Sequence, residues 1–455
     1  VSLWTSAEIA TATGGTASAD FAISGIAFDS REVGPGDLFV ALKGEATDGH
    51  RFVDQAFAQG AAGVLVSGRV EGPHVRVADT AAALDALGAS SRARTQAKII
   101  GVTGSVGKTS VKEALFHALD RAVPGGAHRS LKSYNNHVGV PLSLTRMPRD
   151  ARFGVFEMGM NHAGELAALT RLVCPQVAIV TAVALAHGAF FADEGAIADA
   201  KGEIFQGLEP GGTAIIPHDS AHRDRLIAAA EPYAGRIVTF GRTSHADVWA
   251  RDVARTDRGT LIHAILPGAE LTFTLAPPGD HWIANAMAIL AAVQATGGDL
   301  PAAGLALAEL PGLAGRGRRL PIRLDTGEAL LIDEAYNANP ASMRATLAVL
   351  GQEKARHRIA VLGAMKELGP SEAREHADLA EPIAAANVDF ALLVGSEMAP
   401  LASALEGRID FAHVPDAATA IARIRPLIAS GDAVLVKGSN SVGLARLVDA
   451  LAGGA

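Results

Sequence analysis

The sequence predicts an α/β protein of three domains whose sheets are mostly parallel. Three observations predict it. The chain has 455 residues, enough for about three hydrophobic cores at ~150 residues each. Short apolar runs alternate with segments of helical periodicity, as strands joined by crossover helices require. A glycine-rich turn at residues 101–110 stands between such a run and such a segment, giving the order strand, loop, helix.

The composition excludes several classes. A net charge of -8 argues against a surface built for polyanions, so nucleic acid is not an expected partner. The single cysteine, Cys174, cannot form an internal disulfide, and the start Val1-Ser2-Leu3-Trp4 lacks a basic segment and a long apolar core. A cytoplasmic protein is expected. Residues 172–192 carry no Asp, Glu, Lys or Arg and could imitate a membrane span, but Pro175, Gln176 and His187 interrupt them. The β-branched run Val177-Ala178-Ile179-Val180-Thr181 reads instead as a buried strand, so no stable membrane insertion is predicted.

The first unit, residues 1–94, reads as a small α/β domain. Ile26-Ala27-Phe28 is a strand, and Pro35-Gly36-Asp37 is a turn leading to the next strand. Residues 54–66 give a short helix, a glycine stop and a strand, and residues 81–94 give a second helix. Ser30 and Arg31 lie between strand and turn, where a hydroxyl and a guanidinium could hold a polar ligand. Taken alone, an Asp-Ser-Arg triplet in a loop is ordinary solvated surface.

The central unit, residues 95–314, opens with Ala97-Lys98-Ile99-Ile100 and the turn Gly101-Val102-Thr103-Gly104-Ser105-Val106-Gly107-Lys108-Thr109-Ser110. Val111, Ala114, Leu115, Ala118 and Leu119 then fall on one helix face. Unpaired N–H groups and the positive dipole end of that helix attract a polyphosphate, and glycines let the backbone come close. The phosphate-binding set is Gly104, Ser105, Gly107, Lys108, Thr109 and Ser110. Lys108 adds a point charge, and the Thr109 hydroxyl suits the Mg2+ of a nucleotide. The strict G-x-x-x-x-G-K-[ST] pattern is not met, because Val102 stands where its first glycine belongs. The pattern here is G-x-T-G-x-x-G-K-T.

Further along, the polar stretch Lys132-Ser133-Tyr134-Asn135-Asn136 passes into an apolar one that ends at a proline. Asn135 and Asn136 are candidates for substrate contact or for self-bonded turn residues. Phe153-Gly154-Val155-Phe156-Glu157 is a strand with a carboxylate at its C-terminal end. Ligands bind at those strand ends in open parallel sheets, so Glu157 and the loop share an edge, and a hard carboxylate there suits Mg2+. His187 and Lys201 taken alone are ordinary polar residues.

The last unit, residues 315–455, follows Gly315-Arg316-Gly317-Arg318-Arg319-Leu320. Its apolar runs at 330–332, 359–362, 390–394 and 433–436 alternate with helical stretches, a second parallel α/β arrangement of Rossmann-like type.

The loop, the stretch Glu157-Met158-Gly159-Met160-Asn161-His162-Ala163-Gly164-Glu165 and the stretch Asp333-Glu334-Ala335-Tyr336-Asn337-Ala338-Asn339-Pro340-Ala341-Ser342-Met343 together resemble the Mur ligase family, ATP-dependent amide-forming enzymes of peptidoglycan precursor synthesis. The resemblance covers almost the full length. It implies a central P-loop-type domain flanked by a UDP-sugar-binding domain and a Rossmann-like domain. It also implies ligation of D-alanyl-D-alanine to UDP-N-acetylmuramoyl-tripeptide through an acyl phosphate. By position it makes Lys108, Lys201 and His187 catalytic, and Thr109, Glu157, His187 and Lys201 ligands of two Mg2+ ions, with Lys201 carried as a carbamate. It further makes Asn285, Arg316, Asp333, Tyr336 and Asn337 contacts for ATP, makes Ser30, Arg31, Asn135 and Asn136 contacts for the UDP-sugar, and suggests a monomer. Two departures stand out. Ala364 replaces a carboxylate in Gly363-Ala364-Met365-Lys366-Glu367-Leu368-Gly369, and Gly188-Ala189 replaces the usual His-x-Glu continuation after His187. Two alternatives stay open: a folylpolyglutamate-synthase-like ligase, and a P-loop ATPase that forms no bond.

Overall fold

The strands of the chain gather into three main sheets, described over residues 2–44, 47–185 and 189–453 of a computed structural model. The α/β class and the predominantly parallel sheets are as predicted. Near the N-terminus, five strands run in the order Thr16–Ala17, His74–Arg76, Gly63–Val66, Asp37–Val40 and Gly25–Ala27, with only the first pair antiparallel. The strands and helices expected before residue 94 are all present, the last helix being Thr80–Arg94.

The central sheet has nine strands, and its middle is Thr213–Pro217, Val177–Val180, Lys98–Thr103 and Phe153–Glu157, all parallel. Successive residues of these strands serve opposite cores, because side chains alternate across a sheet. Ile100, Val102, Val155 and Ile179 join the helix Lys108–Ala122 on one face. Ile99, Phe156, Ala178 and Val180 pack on the other. Burial on both faces explains why these strands read as continuous apolar runs, including the run that imitated a membrane span. No described helix is long and apolar enough to cross a membrane.

Two features depart from the sequence reading. Val248–Thr256, Gly259–Leu266 and Ala269–Leu275 form antiparallel strands that extend the central sheet at one edge, a region for which no strand is predicted. The proline expected to close a segment, Pro141, lies inside the helix Gly139–Thr145. It is tolerated there because it occupies the first turn, where N–H groups have no intrahelical partner.

The third sheet has six strands, in the order Arg318–Leu324, Gly327–Glu334, Ala433–Lys437, Arg358–Gly363, Phe390–Val394 and Asp410–Val414, antiparallel only at the first pair. Its four predicted apolar runs are its four central parallel strands or lie within them.

Candidate active site

The glycine-rich loop leaves the C-terminal end of Lys98–Thr103, the strand between Val177–Val180 and Phe153–Glu157. Gly104 has φ of 150°, and a Cβ there would lie 1.9 Å from Thr181 Oγ1, so only glycine fits. Thr181 Oγ1 donates to Val106 O at 2.5 Å. The Ser105 N–H donates to Ala182 O at 2.8 Å and its hydroxyl to Ala184 O at 2.8 Å. The loop is therefore fastened to the chain that follows the neighbouring strand, and the Ser105 hydroxyl is used in that fastening. Gly107, with φ of 87°, precedes the helix as its N-cap and offers no side chain to its first N–H groups, the arrangement that receives an anion. Lys108 Nζ folds back to donate to Gly104 O at 2.6 Å. Its pKa is pulled down by burial of the ammonium, against the pull of Glu157. Ser110 sits half-buried in the same first turn of the helix.

Register sets Glu157 beside Val102, at the same sheet edge as the loop. It is only 1% exposed. Its Oε2 accepts from Thr109 Oγ1 at 2.8 Å and its Oε1 from Asn135 Nδ2 at 2.9 Å. Lys112, fully buried one turn beyond Lys108, donates to Ser130 O at 2.9 Å and Lys132 O at 2.6 Å and stands 3.9 Å from Glu157. A hydroxyl and a carboxylate side by side at a phosphate loop are hard oxygen donors, and this donor set fits Mg2+, which takes few protein ligands and completes its shell with phosphate and water. Lys201 lies near the end of the helix Glu194–Gly202, buried, with its pKa driven well below the lysine range by desolvation and then by Lys108. His187 lies outside the described residues.

Asn285 belongs to the helix Asp280–Ala295, which packs on the central sheet, with its amide against Gly107, where an added Cβ would come within 3.0 Å of Oδ1. Asp333 accepts from Gly315 N–H at 2.8 Å and from Arg318 at 3.0 Å, bracing the turn that carries Arg316. The Arg316 guanidinium lies 4.2 Å from the centre of the Tyr336 ring and donates to Ser133 Oγ at 3.2 Å. Asn337 Oδ1 accepts from the Ala338 N–H, and its backbone carbonyl accepts from Lys437 Nζ at 3.0 Å. Arg316, His281, Trp282 and Glu334 line a cavity of about 410 Å3. His281 is pushed down to about 4 by burial and by Lys437. Burial raises the Glu334 carboxyl and lowers Lys437, which pair at 3.4 Å.

The four residues assigned to the UDP-sugar occupy two facing segments. Ser30 Oγ donates to Gln55 Oε1 at 3.0 Å, and the exposed Arg31 pairs with Asp29 at 2.6 Å, holding that carboxyl at about 2. Opposite them, Asn135 reaches Glu157, and Asn136 Oδ1 accepts from Val138 N–H and Gly139 N–H at 3.2 and 2.9 Å, bracing the turn that enters the helix Gly139–Thr145. Glu32 joins the segments by accepting from Lys132 and from the Tyr134 hydroxyl. Sequence reasoning missed Lys112, Thr181 and His281. Lys112, four residues after Lys108, offered the signal of a cation on the face that otherwise packs inward. Thr181 offered none.

A phosphate loop with a helix-capping glycine, a hydroxyl–carboxylate pair at the same sheet edge and a buried lysine beside it define a nucleotide-consuming enzyme of the P-loop class. The particular lineage is given by comparison with known proteins. Residues 22–99 match the Mur ligase family catalytic domain, residues 102–293 the Mur ligase middle domain, and residues 318–440 the Mur ligase glutamate ligase domain. The UDP-N-acetylmuramoyl-tripeptide--D-alanyl-D-alanine ligase of Escherichia coli is 36% identical over 95% of this chain and 94% of its own length. The chain belongs to the Mur ligase family. Among solved structures, MurF from Acinetobacter baumannii superposes with a TM-score of 0.85 at 32% identity over 99% of both chains. MurF from Thermotoga maritima in complex with ADP superposes with a TM-score of 0.78 at 25% identity, covering 94% of this chain and 97% of that one.

Proposed function

We infer that this chain is an ATP-dependent ligase that joins D-alanyl-D-alanine to UDP-N-acetylmuramoyl-tripeptide in peptidoglycan precursor synthesis. The observation that carries this reading is the 36% identity over nearly the whole of both chains, together with a phosphate loop intact in its geometry. An oxygen of the tripeptide's terminal carboxylate attacks the γ-phosphorus of ATP and ADP leaves. The dipeptide amine then attacks the carbonyl carbon, loses its proton, and phosphate departs with that carboxylate oxygen.

The residues divide this work. The N–H groups around Gly107 and the Lys108 ammonium hold the polyphosphate. Asn285, Arg316, Asp333, Tyr336 and Asn337 surround the rest of ATP, the Arg316–Tyr336 stack folding over it. Thr109 and Glu157 would hold Mg2+, whose chemistry is to neutralise charge on the transferring phosphoryl group. Lys201 would be carried as a carbamate: its amine is biased toward the neutral form, and the neutral amine is the nucleophile that adds CO2, with loss of a proton. His187 is proposed as a further metal ligand. Ser30, Arg31, Asn135 and Asn136 are proposed to meet the UDP-sugar where Glu32 ties their segments together. We take the domains as residues 1–94, 95–314 and 315–455, with hinges at the joins, so that closure excludes water from the acyl phosphate. A monomer in the cytoplasm completes the reading.

ADP release across a panel of UDP-muramyl peptides, with and without D-alanyl-D-alanine, tests it. Release that needs both UDP-tripeptide and dipeptide is expected. Release indifferent to the dipeptide would favour an ATPase that forms no bond, and release supported by folate and glutamate a folylpolyglutamate-synthase-like ligase.

A further inference from the structure

A second cavity, of about 500 Å3, lies between the segment leading into the helix Glu194–Gly202 and the start of the helix Pro340–Gln352. Its walls differ in charge. On one side stand Asp193 and Glu194; on the other stand Arg344 and Arg374. Leu185, Phe191 and Leu368 supply apolar surface between them. The Ala189 N–H donates to Glu367 O at 3.1 Å and joins the two walls.

The arginine side is fixed from beneath. Glu375, 6% exposed, stands between the two arginines, 3.6 Å from Arg344 and 3.1 Å from Arg374. One carboxylate shared by two guanidiniums leaves a net positive charge on this wall, opposite Asp193 and Glu194. His376, with no exposed surface, accepts from the Met365 N–H at 2.9 Å and donates to Glu372 O at 2.8 Å, pinning the short helix that carries Arg374 and Glu375 to the loop that lines the cavity. Arg344 comes from a different helix, so two elements aim guanidiniums at one point.

Resting on the ligase reading above, we propose that Arg344 and Arg374 bind the C-terminal carboxylate of the acceptor dipeptide and so select an acceptor with a free acid. A dipeptide zwitterion is complementary to this cavity in each part. Its carboxylate meets guanidiniums that bind such a group in forked geometry, its methyl groups meet the apolar middle, and its amine end points toward the helix of Glu194, on which Lys201 also lies. Glu375 keeps the guanidiniums in place when the cavity is empty. The arginines act on acceptor affinity and choice, and the phosphoryl transfer does not use them.

The test compares D-alanyl-D-alanine with D-alanyl-D-alaninamide, which lacks only the terminal charge, in the parent enzyme and in Arg344→Ala, Arg374→Ala and Arg344→Lys. The parent should prefer the acid by roughly tenfold or more in kcat/KM, the worth of a charge-assisted contact. Each alanine variant should raise KM for the acid by about tenfold and shrink the acid-to-amide preference, with KM for ATP and for UDP-tripeptide and the melting temperature unchanged. Arg344→Lys should keep part of the preference. An unchanged acid-to-amide ratio in both alanine variants overturns the proposal, and so does a loss that is equal for acid and amide, which marks a structural role. Dipeptide-dependent ADP release by the parent separates this result from the ligase reading, and its absence defeats both.

Discussion

Thr109 Oγ1 donates to Glu157 Oε2 at 2.8 Å, across the edge where the phosphate loop and the neighbouring strand end together. This pair links a helix N-terminus to a strand terminus, and it matches the hard-donor requirement of Mg2+. Glu157→Gln retains the shape and the hydrogen bond to Asn135 while removing the charge. Its turnover should fall by roughly 100-fold or more, and the Mg2+ concentration for half activity should rise. Unchanged Mg2+ dependence in steady-state ADP release would remove Glu157 from the metal site.

Lys108 and Lys201 are both buried lysines, and burial lowers the proton affinity of each. Lys108→Ala should abolish turnover with the far-ultraviolet circular dichroism unchanged, since the hydrogen bond the side chain makes is to Gly104 O, within the loop itself. Lys201→Ala should lose most activity, and short carboxylic acids should restore part of it by standing in for the carbamate. Parent-level activity in Lys201→Ala would defeat the carbamate assignment.

The order of chemistry has an isotopic signature. A carboxylate cannot expel oxide, so its oxygen must first become part of a phosphate leaving group. With heavy oxygen in the tripeptide's terminal carboxylate, the phosphate released should carry one labelled atom by mass spectrometry. Unlabelled phosphate at full ligation would defeat the acyl phosphate.

Gly104 is the position where the loop tolerates no side chain. With φ of 150° and a Cβ that would meet Thr181 Oγ1 at 1.9 Å, Gly104→Ala should destabilise the protein by about 1–3 kcal/mol and weaken nucleotide binding. Adding Thr181→Ala should recover only part, because the backbone strain remains. Denaturant midpoints of the two variants check this, and equal stability of Gly104→Ala and parent would contradict the loop geometry.

Acid sensitivity follows from two histidines away from the loop. His128 and His281 are each pushed down to about 4, chiefly by burial, against about 6.5 for an ordinary histidine. The unfolded chain therefore takes up protons that the folded chain refuses. Their contribution is intact above about pH 6.5 and stability falls as pH drops from there toward about 4, by on the order of a few kcal/mol in all. His128→Gln should make the urea midpoint fall less between pH 7 and pH 5 than in the parent. An identical fall in both proteins would show that His128 titrates normally.

The sequence by itself determined the parallel α/β class, the phosphate loop and the placing of Glu157 at its edge, because each rests on local pattern. Continuous apolar runs, helix periodicity and glycine spacing are written in consecutive residues, and the C-terminal end of a strand is where an open sheet offers its ligands. Only the tertiary structure decided the rest. Whether Asn135 and Asn136 act alike was not legible in the pair Asn-Asn, since one reaches a carboxylate 22 residues away and the other bonds the backbone three residues on. The fastening of the loop through Thr181, the Arg316 bridge to Ser133 and the meeting of Arg344 with Arg374 around Glu375 join segments with no shared local pattern. Such contacts arise from strand order and helix packing, which bring distant residues together, and a linear pattern carries no record of them.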